Sequence, residues 1–346
     1  MADTQITILG MSGAGKTCYL LGLYYKMGSG MKGYTITTDE DTDVQLRDRY
    51  AKMCDQSLGI ERFPVGTDNI SKYKFNLECG YKPIMSFDWV DYPGGILDRK
   101  NVGNLEEYED VKEAINKSSS LFICVDGSLL IGDDTEEKID RVKDGCSAVI
   151  NTFFSEYFAS NNQLPPTAIV VTKYDLCHQD TDEDELCEII EEAFSPFFVK
   201  DGNQRIVTII PVSIGKNIMD NDCSGRLKPM NIHLPVFMGI WFALSKKIQD
   251  YAKKINLEKD HSKQEVDRLR DKKSREENKW FFKSKDEIQR LGNLIRDKES
   301  SNAKKHQEME ELLNAMSNNS DKLIKELDKI PYVYINGERS SFSAII

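Results

Sequence analysis

Residues 10 to 17 read Gly10-Met11-Ser12-Gly13-Ala14-Gly15-Lys16-Thr17, which matches the spacing G-x-x-x-x-G-K-[ST] of a phosphate-binding loop. The mostly apolar residues 5 to 9 before it predict a buried strand, and the apolar run from 18 to 25 after it predicts a helix. A loop at such a strand-to-helix turn directs backbone N–H groups and the positive end of the helix dipole at an anion. The sequence therefore predicts a nucleoside triphosphate site.

Within this loop the residue types have different tasks. Glycines let the backbone curl close to the phosphates without Cβ clashes. Lys16 is expected to reach the β- and γ-phosphates, and the hydroxyl of Thr17 to hold Mg²⁺. The predicted nucleotide contacts here are Ser12, Gly13, Ala14, Gly15, Lys16, Thr17 and Cys18.

A second motif, Asp91-Tyr92-Pro93-Gly94, follows the strand-like run 84 to 90 and has the pattern D-x-x-G. Asp91 at the end of a strand can hold Mg²⁺ through a water, and the amide of Gly94 can hydrogen-bond the γ-phosphate. A motif this short means little alone. It gains weight from its order along the chain.

The third motif is Thr172-Lys173-Tyr174-Asp175, which follows the apolar run 168 to 171. A carboxylate at Asp175 can accept hydrogen bonds from the N1–H and N2–H₂ groups of guanine, which adenine lacks. A site built for those donors rejects adenine strongly. We expect Thr172 to contact the nucleotide and the stem of Lys173 to pack along the plane of the base.

A further strand is predicted from 205 to 212, and Ser213 and Ile214 follow it. A backbone amide of this loop can brace the O6 atom of guanine. Each motif thus follows the carboxyl end of a predicted strand, where nucleotides bind in doubly wound sheets.

These motifs resemble those of the Ras-like small GTPases of the P-loop class, including the Rho and Arf branches. The matching segments are Gly10–Thr17, Asp91–Gly94, Thr172–Asp175 and Pro211–Ser213. The resemblance covers residues 1 to 245. It implies an α/β fold with a doubly wound, mostly parallel sheet of six strands, GTP or GDP as the bound nucleotide, and Mg²⁺ as the metal.

A member of this family also needs a switch threonine before its second strand, and we place it at Thr67. The alternating residues 72 to 78 predict that strand. The resemblance implies that the Thr67 hydroxyl ligates Mg²⁺ and that its amide touches the γ-phosphate. The alternatives are an ordinary polar turn or one of Thr35, Thr37 and Thr38. The predicted metal ligands are Thr17, Thr67 and Asp91.

The chain departs from the family at Gly95, where most members have a glutamine that orients the attacking water. Hydrolysis is therefore expected to be slow, or Asp98 or Arg99 nearby positions the water. Arg62 is a candidate internal arginine finger, worth ~10³-fold in rate, although a surface arginine is the simpler interpretation. The predicted catalytic residues are Lys16, Thr67, Gly94 and Arg62.

A second departure is a helical insertion predicted near 38 to 60. Residues 42 to 53 carry a rough apolar stripe after an acidic opening, which suits the start of a helix. The stripe consists of Val44, Leu46, Tyr50 and Met53. In this insertion the chain looks loosely like bacterial Ras-like domains of the double-GTPase type.

Residues 246 to 330 are predicted to form a helical arm. The segment from 309 to 330 has a heptad seam, and Ser284 with Glu287 forms a capping box. We expect an antiparallel hairpin, or a coiled coil that completes its seam on another subunit. Residues 331 to 346, with their Asn-Gly turn, predict a short β-hairpin.

Composition narrows the classes of function. The chain has 57 acidic and 46 basic residues, with the acidic excess in residues 1 to 245, which argues against nucleic-acid binding. The eight cysteines form no C-x-x-C pair, so metal and disulfide sites are disfavoured. The sequence has no signal peptide, apolar membrane span or lipidation motif, which predicts a cytoplasmic protein without a transmembrane segment.

The sequence therefore predicts a GTP-binding molecular switch that hydrolyses GTP slowly. It would signal to a protein effector or regulator through its switch loops and helical arm, and a homodimer is also considered. Two alternatives remain. One is a pseudo-GTPase scaffold that binds nucleotide without turnover, suggested by Gly95. The other is a P-loop ATPase or kinase.

Overall fold

A computed structural model of the chain describes residues 4–66, 69–96, 105–161, 164–200, 205–215, 226–279 and 284–345. The chain divides into two compact units. The first unit comprises Met1–Ala243 and Leu323–Ile346, and the second comprises Leu244–Lys322.

A large nine-stranded sheet and a small two-stranded sheet form the framework of the first unit. The strands are β1 (Thr4–Gly10), β2 (Tyr34–Thr37), β3 (Ser71–Cys79), β4 (Lys82–Asp91), β5 (Ser118–Asp126), β6 (Thr167–Thr172), β7 (Ile206–Pro211), β8 (Ser213–Gly215), β9 (Leu227–Met230), β10 (Tyr332–Ile335) and β11 (Glu338–Ser340). The large sheet has the order β11-β10-β7-β6-β5-β1-β4-β3-β2. Its five central strands, β7, β6, β5, β1 and β4, run parallel. The two strands at each end pair antiparallel.

Helices cover both faces of this sheet. They are α1 (Lys16–Gly28), α2 (Glu40–Cys54), α3 (Leu105–Lys117), α4 (Thr135–Val142), α5 (Ala148–Asn161), α6 (Tyr174–Cys177), α7 (Glu183–Ala193), α8 (Leu234–Glu277) and α9 (Lys285–Leu327). On one face the first turns of α8 lie so close to the sheet that a Cβ on Gly239 would stand 2.5 Å from the Ser120 hydroxyl oxygen.

On the other face, α3, α5 and α7 bury apolar side chains such as Val111, Phe153 and Ile189. Burial of one such side chain contributes about 1.5–3 kcal/mol to folding. The parallel sheet between two helical layers, with the phosphate-binding loop between β1 and α1, confirms the predicted α/β P-loop fold.

The predicted number of six strands was wrong, because short strands extend both edges of the sheet. At one edge β2 pairs with β3. At the other edge the hairpin of β10 and β11 pairs with β7 and covers the N–H and C=O groups that an edge strand leaves open. Asn336 and Gly337 turn this hairpin with positive φ angles of 53° and 76°. Both angles are those of the mirror-image turn that suits a two-residue hairpin.

The residues between α1 and β3 include the helix α2. Asp39 caps its first turn by accepting a hydrogen bond from the backbone N–H of Thr42 at 3.0 Å. Tyr50 packs this helix against α1, with its ring stacked on that of Tyr25 at a centroid distance of 4.0 Å. Val44, which the sequence placed in the same stripe, is 53% exposed. The buried members of the stripe are Leu46, Tyr50 and Met53.

The second unit contains the later part of α8 and most of α9, packed as an antiparallel pair. The cross-helix ion pairs Lys259–Glu310 and Arg270–Glu299, each 2.6 Å, establish this direction because one residue number falls as the other rises. The Ser284 hydroxyl caps α9 by accepting a hydrogen bond from a backbone N–H at 3.2 Å. Buried residues of this pair include Ile255, Val266, Leu291, Ile295 and Met309. None of the helices in the described ranges combines the length and apolar composition needed to span a bilayer.

Candidate functional site

An open cleft of about 1070 Å³, its solvent-facing mouth included, lies at the carboxyl ends of β1, β6 and β7. Because parallel strands end at the same edge of a sheet, residues that are far apart in sequence meet there. The cleft is lined by all the residues predicted to contact the nucleotide from the phosphate-binding loop, the Thr172–Asp175 motif and the Ser213 loop, and Gly94 lines it as well. The predicted contacts are Ser12, Gly13, Ala14, Gly15, Lys16, Thr17, Cys18, Thr172, Lys173, Asp175, Ser213 and Ile214.

The phosphate-binding loop has a backbone that requires glycine. Gly13 and Gly15 have φ angles of 81° and 74°, in the left-handed region that costs other residues energy. At Gly10 a Cβ would stand 2.7 Å from the carbonyl oxygen of Cys124 on β5. The loop thus leads directly into α1, whose first N–H groups lack partners within the helix and can bind an anion.

Lys16 lies along this loop and is only 6% exposed. Its ammonium donates hydrogen bonds to the carbonyl oxygens of Gly10 at 2.7 Å and Met11 at 3.2 Å. These two hydrogen bonds therefore hold the Lys16 ammonium at the wall of the cleft. A charge so placed can neutralise a bound phosphate with little reorganisation.

The far end of the cleft carries the residues expected to read the base. The Asp175 carboxylate accepts a hydrogen bond of 2.5 Å from the Ser213 hydroxyl. Lys173 forms an ion pair of 2.5 Å with Asp126, at the end of β5, which holds the lysine stem in the cleft. The Thr172 hydroxyl faces the phosphate-binding loop and lies 2.8 Å from the carbonyl oxygen of Ala14.

Asp91 ends β4 next to Ile8 of β1 and is 2% exposed. Burial raises the pKa of its carboxyl to about 6, and the positive charges of Lys16 and Arg49 oppose that shift. Among the described residues, its Oδ1 atom has no hydrogen-bond partner. A buried carboxylate oxygen with an open lone pair suits Mg²⁺, whose charge would offset the cost of burial.

The other predicted metal ligands are Thr17, which lines the cleft, and Thr67, which lies outside the described residues. The described part of the chain has no group of three or more His, Cys, Asp or Glu side chains that could hold a metal. A cation beside Asp91 would therefore depend on hydroxyl, phosphate and water oxygens, as Mg²⁺ in nucleotide sites commonly does.

The loops that contain Gly66 and Gly94 both pack against Ser12 of the phosphate-binding loop. Gly94 is packed so tightly that a Cβ would lie 2.0 Å from the Ser12 backbone nitrogen, and a Cβ on Gly66 would lie 3.2 Å from the Ser12 hydroxyl oxygen. A Cβ on Gly95 would meet nothing within 4 Å. Asp98 and Arg99 lie outside the described residues.

The interpretation of Arg62 as a surface arginine was wrong. This residue is 1% exposed, and its guanidinium stands 4.8 Å from the centroid of the Phe63 ring. Arg62 is the last residue and the buried residue of the 3₁₀ segment Gln56–Arg62, which is kinked at Gly59. Phe63 lines the cleft, whereas Arg62 does not belong to its lining, so a catalytic role for Arg62 stays a prediction.

The sequence reasoning missed the apolar part of the cleft. These residues flank the polar motifs and have no spacing signature of their own. Ile60 and Val65 are 60% and 91% exposed, so they form an apolar lip at the opening. The apolar lining consists of Ile60, Phe63, Pro64, Val65, Leu176 and Val212.

No protein-family model and no curated protein matches this chain. Solved structures similar to it include the GTPase-like domain of Ski7 from S. cerevisiae bound to GTP, with 15% identity and a TM-score of 0.32 over 61% of this chain. The match spans 42% of the Ski7 chain, less than half its length. Nucleolar GTP-binding protein 1 from Plasmodium falciparum has 12% identity and a TM-score of 0.35, over 75% of this chain and 95% of its own. Both similarities are remote, and the fold assignment rests on the strand order and the phosphate-binding loop.

Proposed function

We propose that this chain is a Ras-like GTP-binding protein that binds GTP or GDP with Mg²⁺ and hydrolyses GTP slowly. The observation that carries the proposal is the single cleft lined by both the phosphate-binding loop and Asp175. One end of this cleft offers N–H groups and the Lys16 ammonium to phosphates. The other end offers a carboxylate to a base.

Selection of guanine is assigned to the Asp175 carboxylate. Its hydrogen bond with Ser213 orients one oxygen, and the carboxylate can accept from both N1–H and N2–H₂ of guanine. Adenine has neither donor at those positions and would leave a desolvated carboxylate unpaired, which costs about 1–3 kcal/mol or more. The Lys173 stem supports the base from its face.

The phosphates are assigned to the loop of residues 10 to 17 and to the start of α1. Lys16 neutralises charge there, and Thr17 and Asp91 are the described residues that would hold Mg²⁺. When bound, that ion would neutralise negative charge on the phosphates. Gly94 packs on Ser12, and its backbone N–H would respond to the presence of the γ-phosphate.

Slow turnover is proposed because Gly95 has no side chain to orient water. The protein would act as a switch whose loops around Thr67 and Gly94 change with the nucleotide. A cytoplasmic protein effector or regulator would read that change through the loops and the helical arm. A homodimer is a further proposal. Gly95 also favours the alternative of a scaffold that binds GTP without turnover.

The test uses the purified full chain with Mg²⁺ and compares binding of fluorescent GTP and ATP analogues with phosphate release. We expect GTP-selective binding with slow release, and loss of both on Lys16→Ala. Lys26→Ala, on the last turn of α1, is the matched control and should change neither. Tight GTP binding without turnover would favour the scaffold. A preference for ATP would contradict the proposed guanine site.

A further inference from the structure

A buried lysine holds the turn that follows α6. Lys138, on α4, is 0% exposed. Its ammonium donates hydrogen bonds to the backbone carbonyl oxygen of Asp180 at 2.7 Å and to the Glu185 carboxylate, on α7, at 2.8 Å. The hydroxyl of Thr135, also on α4, donates to the same Glu185 oxygen at 2.7 Å. The buried charge is therefore paired, and it also binds a backbone group of the turn.

A buried ion pair of this kind is a weak source of stability, because desolvation of both charges offsets their attraction. Such a pair can instead specify one geometry of the chain. A second pair, Lys143–Glu192, lies directly after α4 and also reaches α7 at 2.8 Å, but its side chains are 40% and 57% exposed. The pair made by Lys138 differs from it in being buried and in holding the carbonyl oxygen of Asp180 as well.

The turn after α6 is continuous with Asp175. Asp175 and Cys177 both belong to α6. The backbone N–H groups of Asp180 and Thr181 donate to the carbonyl oxygen of Cys177 at 2.9 and 2.8 Å, and Cys177 is fully buried. A displacement of Asp180 would therefore be transmitted to α6 and to the Asp175 carboxylate. Because Lys138 holds Asp180, it also restrains α6.

Two further hydrogen bonds join the same turn to the connection between β5 and α4. The Thr181 hydroxyl, which is fully buried, donates to the carbonyl oxygen of Leu130 at 2.8 Å. The backbone N–H of Gly132 donates to the Asp180 carboxylate at 3.0 Å. Residues 130 to 138 thus contact the turn at two successive positions, through Leu130, Gly132 and Lys138.

The other end of the base-reading segment is held by Asp126, the last residue of β5. One of its carboxylate oxygens pairs with Lys173 at 2.5 Å, and the other accepts hydrogen bonds from the N–H and hydroxyl groups of Ser128 at 2.9 and 2.8 Å. Lys173 has a φ angle of 51°, in the left-handed region that costs a non-glycine residue energy. A Cβ on Gly127 would stand 2.5 Å from the carbonyl oxygen of Thr172, so the two backbones are in close contact.

We propose that Lys138 and Asp126 are positioning residues for guanine, which fix the two ends of the segment that carries Asp175. This inference rests on the proposed function. Lys138 acts through Asp180, and Asp126 acts through Lys173. With both ends fixed, the Asp175 carboxylate keeps the orientation in which it can accept from N1–H and N2–H₂ of guanine together. A shifted carboxylate would not reach both donors at once.

The experiment measures the ratio of GTP affinity to inosine triphosphate affinity in the purified full chain with Mg²⁺. Inosine lacks the 2-amino group of guanine, so this ratio reports on the contact between Asp175 and N2–H₂. A general loss of folding or of phosphate binding lowers both affinities together and leaves the ratio unchanged. The ratio therefore separates a positioning role from a merely structural one.

Three variants are compared with the wild type. The buried-pair variant combines Lys138→Met with Glu185→Gln and leaves no unpaired charge behind. Asp126→Asn removes the charge at the other end of the segment. The exposed-pair variant, Lys143→Met with Glu192→Gln, is the matched control, because it makes the same substitutions in a pair with the same distance.

We expect the ratio to fall ~5-fold or more in the buried-pair variant and in Asp126→Asn, since one hydrogen bond to a charged acceptor is lost or weakened. The exposed-pair variant should keep the wild-type ratio. Thermal unfolding of the buried-pair variant should change little, because replacing both members of a buried ion pair is often neutral for stability.

Wild-type ratios in both the buried-pair variant and Asp126→Asn would overturn the inference, whatever their melting temperatures. An equal fall in the exposed-pair variant would overturn it as well. If one test variant does not melt cooperatively, the other decides by the same ratio. A wild-type protein that binds no GTP, or that does not prefer GTP to inosine triphosphate, refutes the proposed guanine site itself. Normal wild-type selection with unaffected variants refutes this inference alone.

Discussion

The hydroxyl of Thr172, the last residue of β6, lies 2.8 Å from the carbonyl oxygen of Ala14 in the phosphate-binding loop. The same hydroxyl stands 3.0 Å from the carbonyl oxygen of Val125 on β5. Both contacts are buried. One side chain thus ties the motif expected to read the base to the loop expected to hold the phosphates.

Thr172→Val should show how much the contact between the Thr172 hydroxyl and the Ala14 carbonyl oxygen contributes to stability and to GTP binding. Valine keeps the shape but leaves the Ala14 carbonyl oxygen without its donor, which costs about 1–3 kcal/mol. We expect a lower free energy of unfolding in urea and GTP binding weakened ~5-fold or more, since loop geometry is lost. Thr172→Ser retains the hydroxyl and is the control. A valine variant with wild-type stability and affinity would show that the tie contributes nothing.

Asp175→Asn should change the base that the cleft prefers. An amide nitrogen in place of a carboxylate oxygen repels the N1–H donor of guanine but can donate to the O2 atom of xanthine. We expect GTP affinity to fall ~100-fold or more and binding of xanthosine triphosphate to rise. Competition binding with both nucleotides measures this. Asp184→Asn, in an exposed position on α7, should keep the preference for GTP. An unchanged preference in Asp175→Asn would remove the guanine assignment.

Gly94→Ala should disturb the loop that packs on Ser12, because its Cβ would stand 2.0 Å from a backbone nitrogen that cannot move aside cheaply. We expect a loss of about 1–3 kcal/mol in stability from overpacking, together with weaker GTP binding. The next residue supplies the control. Gly95→Ala places its Cβ in open space and should melt within a degree or two of the wild type. Equal behaviour of the two variants would show that the loop lies elsewhere in solution.

Val333→Ala tests whether the hairpin of β10 and β11 is part of the domain core. Val333 is fully buried and pairs with Thr208 on β7, so truncation should cost about 1–3 kcal/mol in free energy of unfolding. Glu338→Ala on β11 removes only a solvent-exposed ion pair and should leave the melting temperature nearly unchanged. Identical melting of both variants with the wild type would mean that the first unit does not need the hairpin.

The sequence predicts the cleft well because each motif is local and follows its own strand. Lys16 and Asp175 are far apart in the chain, yet both stand at carboxyl ends of parallel strands, and that topology alone brings them together. The sheet edges were harder to predict. Strand β2 has only four residues, too few for a clear alternation, and the Asn-Gly turn predicts the hairpin that contains β10 but not its pairing with β7.

Other features depend on contacts between distant segments. Burial of Arg62 follows from how the insertion folds, and the stacking of Tyr50 on Tyr25 follows from the packing of α2 on α1. The bond from Thr172 to Ala14 joins residues 158 positions apart. Sequence spacing within one segment cannot predict contacts between segments that are far apart in the chain. The sequence motif identifies Thr172 as a site residue, but only the folded structure shows that its hydroxyl contacts Ala14.

The return of residues 323 to 346 to the first unit affects how the chain can be made and divided. Leu323 and Leu327 are fully buried there, and β10 beyond them completes the sheet beside β7. During synthesis on the ribosome, β7 emerges well before its neighbour β10, because the whole helical unit lies between them. During that interval the edge of β7 is exposed without its partner strand. An unpaired edge strand can pair with a wrong strand, including one from another chain. A chain cut before α9 would therefore lose α9 and also the strands β10 and β11 at one edge of the large sheet.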